Sequence, residues 1–293
     1  MSLSVSILML VAYTVIGYVA SFKLSFKYFK KLQFFIFNLV MSPYIFLNIF
    51  NYLTIDFFFA NYWIIIAQGW FIFLAIITFR YVKSKRGNVD FNMLAFQNAG
   101  FLTLPIIAAM PNSEYLKVLL FMYMIGFNLS VFSIGAMVLS EKRNYRGMFN
   151  LPFFASVLPI ILVFIGFGGV KMPALLLLED FLGLLLIPGA LFFFGGVIRH
   201  SMIGKKSVFS GDMLRIILIK YLFFPATTLL LIYFFKFDKL VAILLIIQSL
   251  MPPAVNLILL PSSDEDKDQM SAQMGFLYIV FMIGALAFAV CQL

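Results

Sequence analysis

Apolar positions in this chain gather in continuous runs of about 17–25 residues, the length that crosses a bilayer as an α-helix. The first five lie at about Ser4–Ala20, Leu32–Leu53, Phe58–Phe79, Phe91–Met110 and Leu116–Ser140. A second set follows at about Leu151–Phe167, Leu175–Ile198, Met213–Phe235, Leu240–Leu260 and Met270–Cys291. The pattern predicts an all-α integral membrane protein of ten transmembrane helices joined by short connections.

Composition sharpens this reading. Of 293 residues, 63% are hydrophobic and 11% charged, against about half apolar and a quarter charged in soluble domains. A water-soluble enzyme is excluded, and the spans leave no length for a soluble domain. The formal charge of +9 would suggest nucleic acid in a soluble protein, but the basic residues cluster between apolar runs and read as topology signals. The expected partner is the lipid bilayer, not nucleic acid. A single cysteine, Cys291, excludes an intrachain disulfide, and a single histidine, His200, leaves too few soft ligands for zinc or haem. Neither metal nor cofactor is expected. Met1–Ser6 has no basic segment and no small-residue cleavage site follows the first run, so the first helix is expected to be retained.

Positive charge resists translocation, so Lys and Arg in alternate loops set the orientation. Connections after the first, third, fifth, seventh and ninth runs hold sixteen of the 21 basic residues; the opposite side holds Lys117, Lys171, Lys236 and Lys239. Both termini are therefore expected to be extracytoplasmic in the cell membrane. Lys220, inside the eighth run, is expected to snorkel toward the basic side.

Five spans per half is an odd number, so a second half resembling the first enters the bilayer upside down, an arrangement common in secondary transporters. The halves run 1–147 and 148–293. Pro43 and Pro188 are 145 residues apart, and Pro105 and Pro253 are 148 apart, in corresponding spans. The fourth span carries Gln97-Asn98-Ala99-Gly100-Phe101-Leu102-Thr103-Leu104-Pro105 and the ninth Gln248-Ser249-Leu250-Met251-Pro252-Pro253-Ala254-Val255-Asn256. Proline removes a donor and frees the carbonyl four residues back, those of Phe101, Gln248 and Ser249. Both helices should break near mid-membrane and face inward, because unpaired backbone facing lipid costs several kcal/mol per group. Half-helix N-termini suit an anion and freed carbonyls a cation. The candidate substrate-binding residues are Asn98, Ala99, Gly100, Pro105, Gln248, Pro252, Pro253 and Asn256, with Gln97, Asn128 and Gln273 as additional polar candidates.

These motifs resemble the auxin efflux carrier family, the PIN-like transporters and their bacterial malonate- or malate-carrier relatives. Asn98 to Pro105 is similar to that family's Asn-x-Gly-Phe-Leu-Gly-x-Pro signature, with Thr103 in place of the second glycine, and Met251 to Asn256 is similar to its second-half counterpart. Leu182-Gly183, Pro188-Gly189-Ala190-Leu191 and Gly195 resemble its seventh helix, and Lys220 and Pro225 sit as in its eighth. The resemblance implies two inverted five-helix repeats with helices 4 and 9 crossing at their prolines. It further implies a scaffold of helices 1, 2, 6 and 7 that forms a homodimer, and a mobile body of helices 3–5 and 8–10 moving as an elevator. Asn98 would then contact a substrate carboxylate.

The expected function is secondary active transport of a small organic anion, without enzymatic activity. The alternatives are a sodium-coupled symporter like the bile-acid family and a non-transporting receptor; the coupling ion, H+ or Na+, stays open. Asp56, Asp90, Glu114, Glu141, Glu179, Asp180 and Asp212 fall at span ends, so no buried acidic relay is expected. The run Asp264-Glu265-Asp266-Lys267-Asp268 reads as a solvated turn.

Overall fold

The computed structural model describes residues 3–79, 87–108, 110, 113–140, 149–168, 171–202, 211–255, 257, 260 and 263–291. Among these residues the protein is all-helical, without a strand. The helices are α1 (Leu3–Ala20), α2 (Phe26–Tyr52), α3 (Ile55–Phe79), α4 (Gly87–Ala95), α5 (Thr103–Ala108) and α6 (Ser113–Leu139). They continue as α7 (Leu151–Phe164), α8 (Pro173–Met202), α9 (Asp212–Phe235), α10 (Lys239–Leu250) and α11 (Asp264–Cys291). Six of them, α2, α3, α6, α8, α9 and α11, contain stretches long and apolar enough to cross a membrane; α7, α10 and the Ile7–Ala20 part of α1 are apolar but shorter. The Arg80–Arg86, Lys142–Arg146 and Lys205–Lys206 charges counted for orientation lie outside the described residues.

Helix starts follow local chemistry. Thr54, Asn150 and Asp238 precede α3, α7 and α10, and each side chain accepts a first-turn N–H, from Phe57, Phe153 and Leu240 at 3.2, 2.9 and 2.9 Å. The acidic run is not a turn: it opens α11. Ser263 caps it: its Oγ accepts from Asp266 N at 3.0 Å and donates to Asp266 Oδ2 at 2.6 Å, and acids in a first helical turn complement the helix dipole.

Prolines shape the long helices. Pro43 and Pro225 each follow a π turn, Phe35–Met41 in α2 and Ile219–Phe223 in α9. A proline lacks its N–H and crowds the preceding turn, and the wider π turn takes up the misfit. Each such turn also rotates the helix face that follows it.

α1 lies along α8, α7 along α2, and α2 also meets α8; α3 packs on α4 and α6, α9 on α10, and α11 touches α1, α4 and α8. The α1–α8 crossing is a glycine contact. A Cβ on Gly195 would stand 1.8 Å from Thr14 O, and one on Gly17 2.0 Å from Phe192 O, so only hydrogen allows these backbones to meet. Gly195→Ala is therefore expected to cost about 1–3 kcal/mol through overpacking. Thermal unfolding checks this against Gly69→Ala, where the added carbon meets nothing within 4 Å and stability should hold.

Candidate functional site at the helix crossing

The fourth apolar run is interrupted between Ala95 and Thr103, and the ninth stops being α-helical after Leu250. The two interruptions lie against each other. Gln97 and Pro253 form an isolated antiparallel bridge; Asn98 N donates to Pro252 O at 2.7 Å and Ala254 N to Phe96 O at 3.0 Å. Backbone groups released by each broken helix thus satisfy those of the other, which is how irregular chain can sit inside an apolar bundle. Tyr278 of α11 donates to Pro253 O at 2.5 Å from the far side.

The prolines act differently from the expectation. Pro105 stands third in α5, where its missing N–H would lack an intrahelical partner anyway, so it starts the second half-helix rather than breaking the first. The carbonyl of Gln248 is not free, because Met251 N donates to it at 3.2 Å. Nor is the start of α5 open, since Leu104 N donates to Gly100 O at 3.1 Å.

A side-chain relay ties the halves further. Gln248 Nε2 donates to Thr103 Oγ1 at 3.3 Å, and Thr103 donates to the Asn98 carbonyl at 2.9 Å. Thr103 is the link. On the other side, Gln68 of α3 donates to Ala95 O at 2.8 Å and accepts from the Tyr123 hydroxyl of α6. Lys220 lies here too. It is fully buried, with Nζ 3.5 Å from Leu94 O; with the Gln97 amide turned so that its oxygen faces the ammonium, that oxygen lies 3.2 Å from Nζ and the amide nitrogen donates to Ala95 O at 3.2 Å. It does not snorkel: its place in the π turn ahead of Pro225 aims it into the protein.

Beside the bridge is a cleft of about 20 Å³, room for one water, lined by Asn98, Ala99, Gly100 and Phe101 of the first break, Ala254 and Val255 of the second, and Phe37, Met41, Met124, Phe127 and Asn128. Asn98 and Asn128 are each 2% exposed, and in both the amide nitrogen has no hydrogen-bond partner. The Tyr278 hydroxyl gives its proton to Pro253 O, so its oxygen is the acceptor next to the Asn98 amide, though the two do not meet hydrogen-bond geometry. Asn128 Oδ1 accepts from Asn150 at 3.4 Å, and its nitrogen makes no hydrogen bond. Two buried amide donors without acceptors each carry a penalty of about 1–3 kcal/mol that an anionic oxygen would remove.

The candidates therefore divide. Asn98, Ala99, Gly100 and Asn128 line the cleft, while Pro252, Pro253, Gln97, Gln248 and Pro105 build the crossing behind it. Gln273 is elsewhere, donating to Asp90 Oδ1 at 3.0 Å between α11 and α4. Asn256 lies outside the described residues. Two carboxylates placed at span ends prove buried: Asp90 at 0% exposure and Glu179 at 3%. Glu179 accepts from Asn48 and Asn51 of α2, both at 2.9 Å, and lies 3.6 Å from Lys117 of α6.

Helices of spanning length around an interior polar crossing define an all-α membrane protein. No family model matches the chain, and no curated protein sequence matches it either.

Proposed function

We propose that the chain is a secondary active transporter of a small organic anion, a carboxylate, held between the two broken helices. The observation that carries this reading is a pair of buried asparagines, Asn98 and Asn128, that line one interior cleft and whose amide nitrogens make no hydrogen bond. Neutral donors suit an anion at membrane depth without the cost of a buried fixed charge. The breaks also fall 148 residues apart by their prolines, as two inverted repeats of 1–147 and 148–293 would have them.

The cleft as it stands is too small for a carboxylate, so binding requires movement. Its outer wall is α2, through Phe37 and Met41. Phe101 beside the crossing packs between Phe37 and Phe193 of α8, each ring 5.9 Å away. Sliding a body of α3–α6 and α9–α11 along a scaffold of α1, α2, α7 and α8 would separate these rings and open the cleft to one side at a time. This is the elevator motion implied by the auxin efflux carrier resemblance. In the same reading the protein lies in the cell membrane with both termini extracytoplasmic. Two copies meet through scaffold helices, where Leu177, Phe181 and Leu184 of α8 are exposed and apolar.

The test is a thermal-shift screen of mono- and dicarboxylates on purified protein, with and without sodium and at two pH values, followed by flux in proteoliposomes. A carboxylate should raise the melting temperature of the wild type and not that of Asn128→Ala. Stabilisation without flux would make the protein a receptor. Absence of any carboxylate response would remove the proposed ligand class.

A further inference from the structure

Lys220 is the buried charge that the anion site does not account for. Its side chain is fully enclosed, and unlike the buried Lys117, which pairs with Glu179, it has no carboxylate within 4 Å among the described residues. Its acceptors are instead Leu94 O, the Gln97 amide oxygen and the face of Phe224, 5.3 Å from Nζ to the ring centre. Leu94 belongs to the last turn of α4, which stops inside the protein. A helix C-terminus carries about half a negative charge on carbonyls that lack intrahelical donors, and in a dry interior that end attracts a cation strongly.

We propose that Lys220 is a tethered cation: its ammonium occupies the carbonyl-lined place at the broken end of α4 where a free monovalent metal ion would otherwise bind, so the crossing is built without sodium. The inference deepens the transporter reading by assigning its cation requirement. Lys220 acts through its neighbours. By holding Leu94 O and Gln97 it fixes the segment whose next residue is Asn98, and Gln97 is itself the residue bridged to Pro253. It is a positioning residue, and its charge belongs to the same body of helices as the cleft.

The arrangement makes a prediction that ordinary packing does not. Truncating the side chain should empty a cation-sized space lined by the Leu94 carbonyl, the Gln97 amide oxygen and water, and sodium should then enter it. Thermal unfolding is compared for the purified full-length protein in sodium chloride and in choline chloride. The wild type and Lys220→Met, which keeps the bulk of the stem, should melt alike in both salts. Lys220→Ala should melt lower in choline and gain about 3 °C or more from sodium at roughly tenfold above its dissociation constant.

A sodium-dependent rise in the wild type overturns the proposal, as does a folded Lys220→Ala with no sodium response. Should the alanine variant be too weak to purify in choline, Lys220→Ser is read the same way. Failure of both in sodium as well as in choline overturns it too, since sodium should rescue them. Because the readout is sodium against choline with no carboxylate present, it is decided separately from the carboxylate screen. A crossing that gains sodium dependence in a protein no carboxylate stabilises would keep the tethered cation and discard the anion site.

Discussion

Asn98→Ala is expected to lower carboxylate flux in proteoliposomes by roughly 10–100-fold while leaving the melting temperature unchanged or slightly higher. The loss follows from one hydrogen bond to a charged ligand, worth about 1.5–3 kcal/mol. The stability outcome is the more diagnostic half. Asn98 serves the fold through its backbone: its N–H goes to Pro252 O and its carbonyl takes the Thr103 hydroxyl, and alanine keeps both. What alanine deletes is a buried amide nitrogen without a partner, whose burial costs the free protein about 1–3 kcal/mol. A residue present for structure should destabilise when truncated; one held ready for a ligand should not. Unchanged flux removes Asn98 from the site, and lost flux with lost stability would make it a structural residue of the crossing.

Why this crossing was visible in the sequence, and its surroundings were not, has a physical basis. Continuous apolar runs gave the helix positions because a bilayer imposes one length on every span. Gln97-Asn98 and Pro252-Pro253 stood out because amides and tandem prolines are costly at membrane depth unless something inside answers them. The answering groups were harder to see. Gln68, Thr103 and Tyr123 are ordinary residues in spans whose inward face cannot be chosen from a uniformly apolar pattern, and only the fold brings them to the broken ends. Lys220 was misread for a related reason. Snorkelling is the sound expectation for a lysine on a regular helix facing lipid, but the π turn before Pro225 shifts the register and turns that lysine inward. The serine cap at Ser263 has a sequence signal too, Ser-Asp-Glu-Asp, masked because a dense acidic run reads as solvent-loving rather than as a helix start.

The same limit of span-end reasoning hid the interior charge with the largest expected effect on stability. Glu179→Ala should destabilise the protein by about 3–5 kcal/mol, a fall of roughly 10 °C in melting temperature. Position along the helix suggested a solvated residue, since Glu179 is the seventh residue of α8, yet neighbouring helices close over it. Its two oxygens collect Asn48 and Asn51 of α2 at 2.9 Å each, and Lys117 of α6 stands 3.6 Å away, over the Tyr44 ring at 5.6 Å. Removing the carboxylate strands an ammonium that is 9% exposed along with two amide donors. That penalty comes from the partners left behind rather than from the strength of the pair, so it should be largely reversible by a second change. Glu179→Ala with Lys117→Met is expected to recover more than half of the loss, leaving only the two amides unanswered. Unfolding of the two single variants and the double variant forms the cycle that decides it. Additive losses, with no recovery in the double variant, would mean that Lys117 and Glu179 contribute independently and that the buried charge is not what joins α2, α6 and α8.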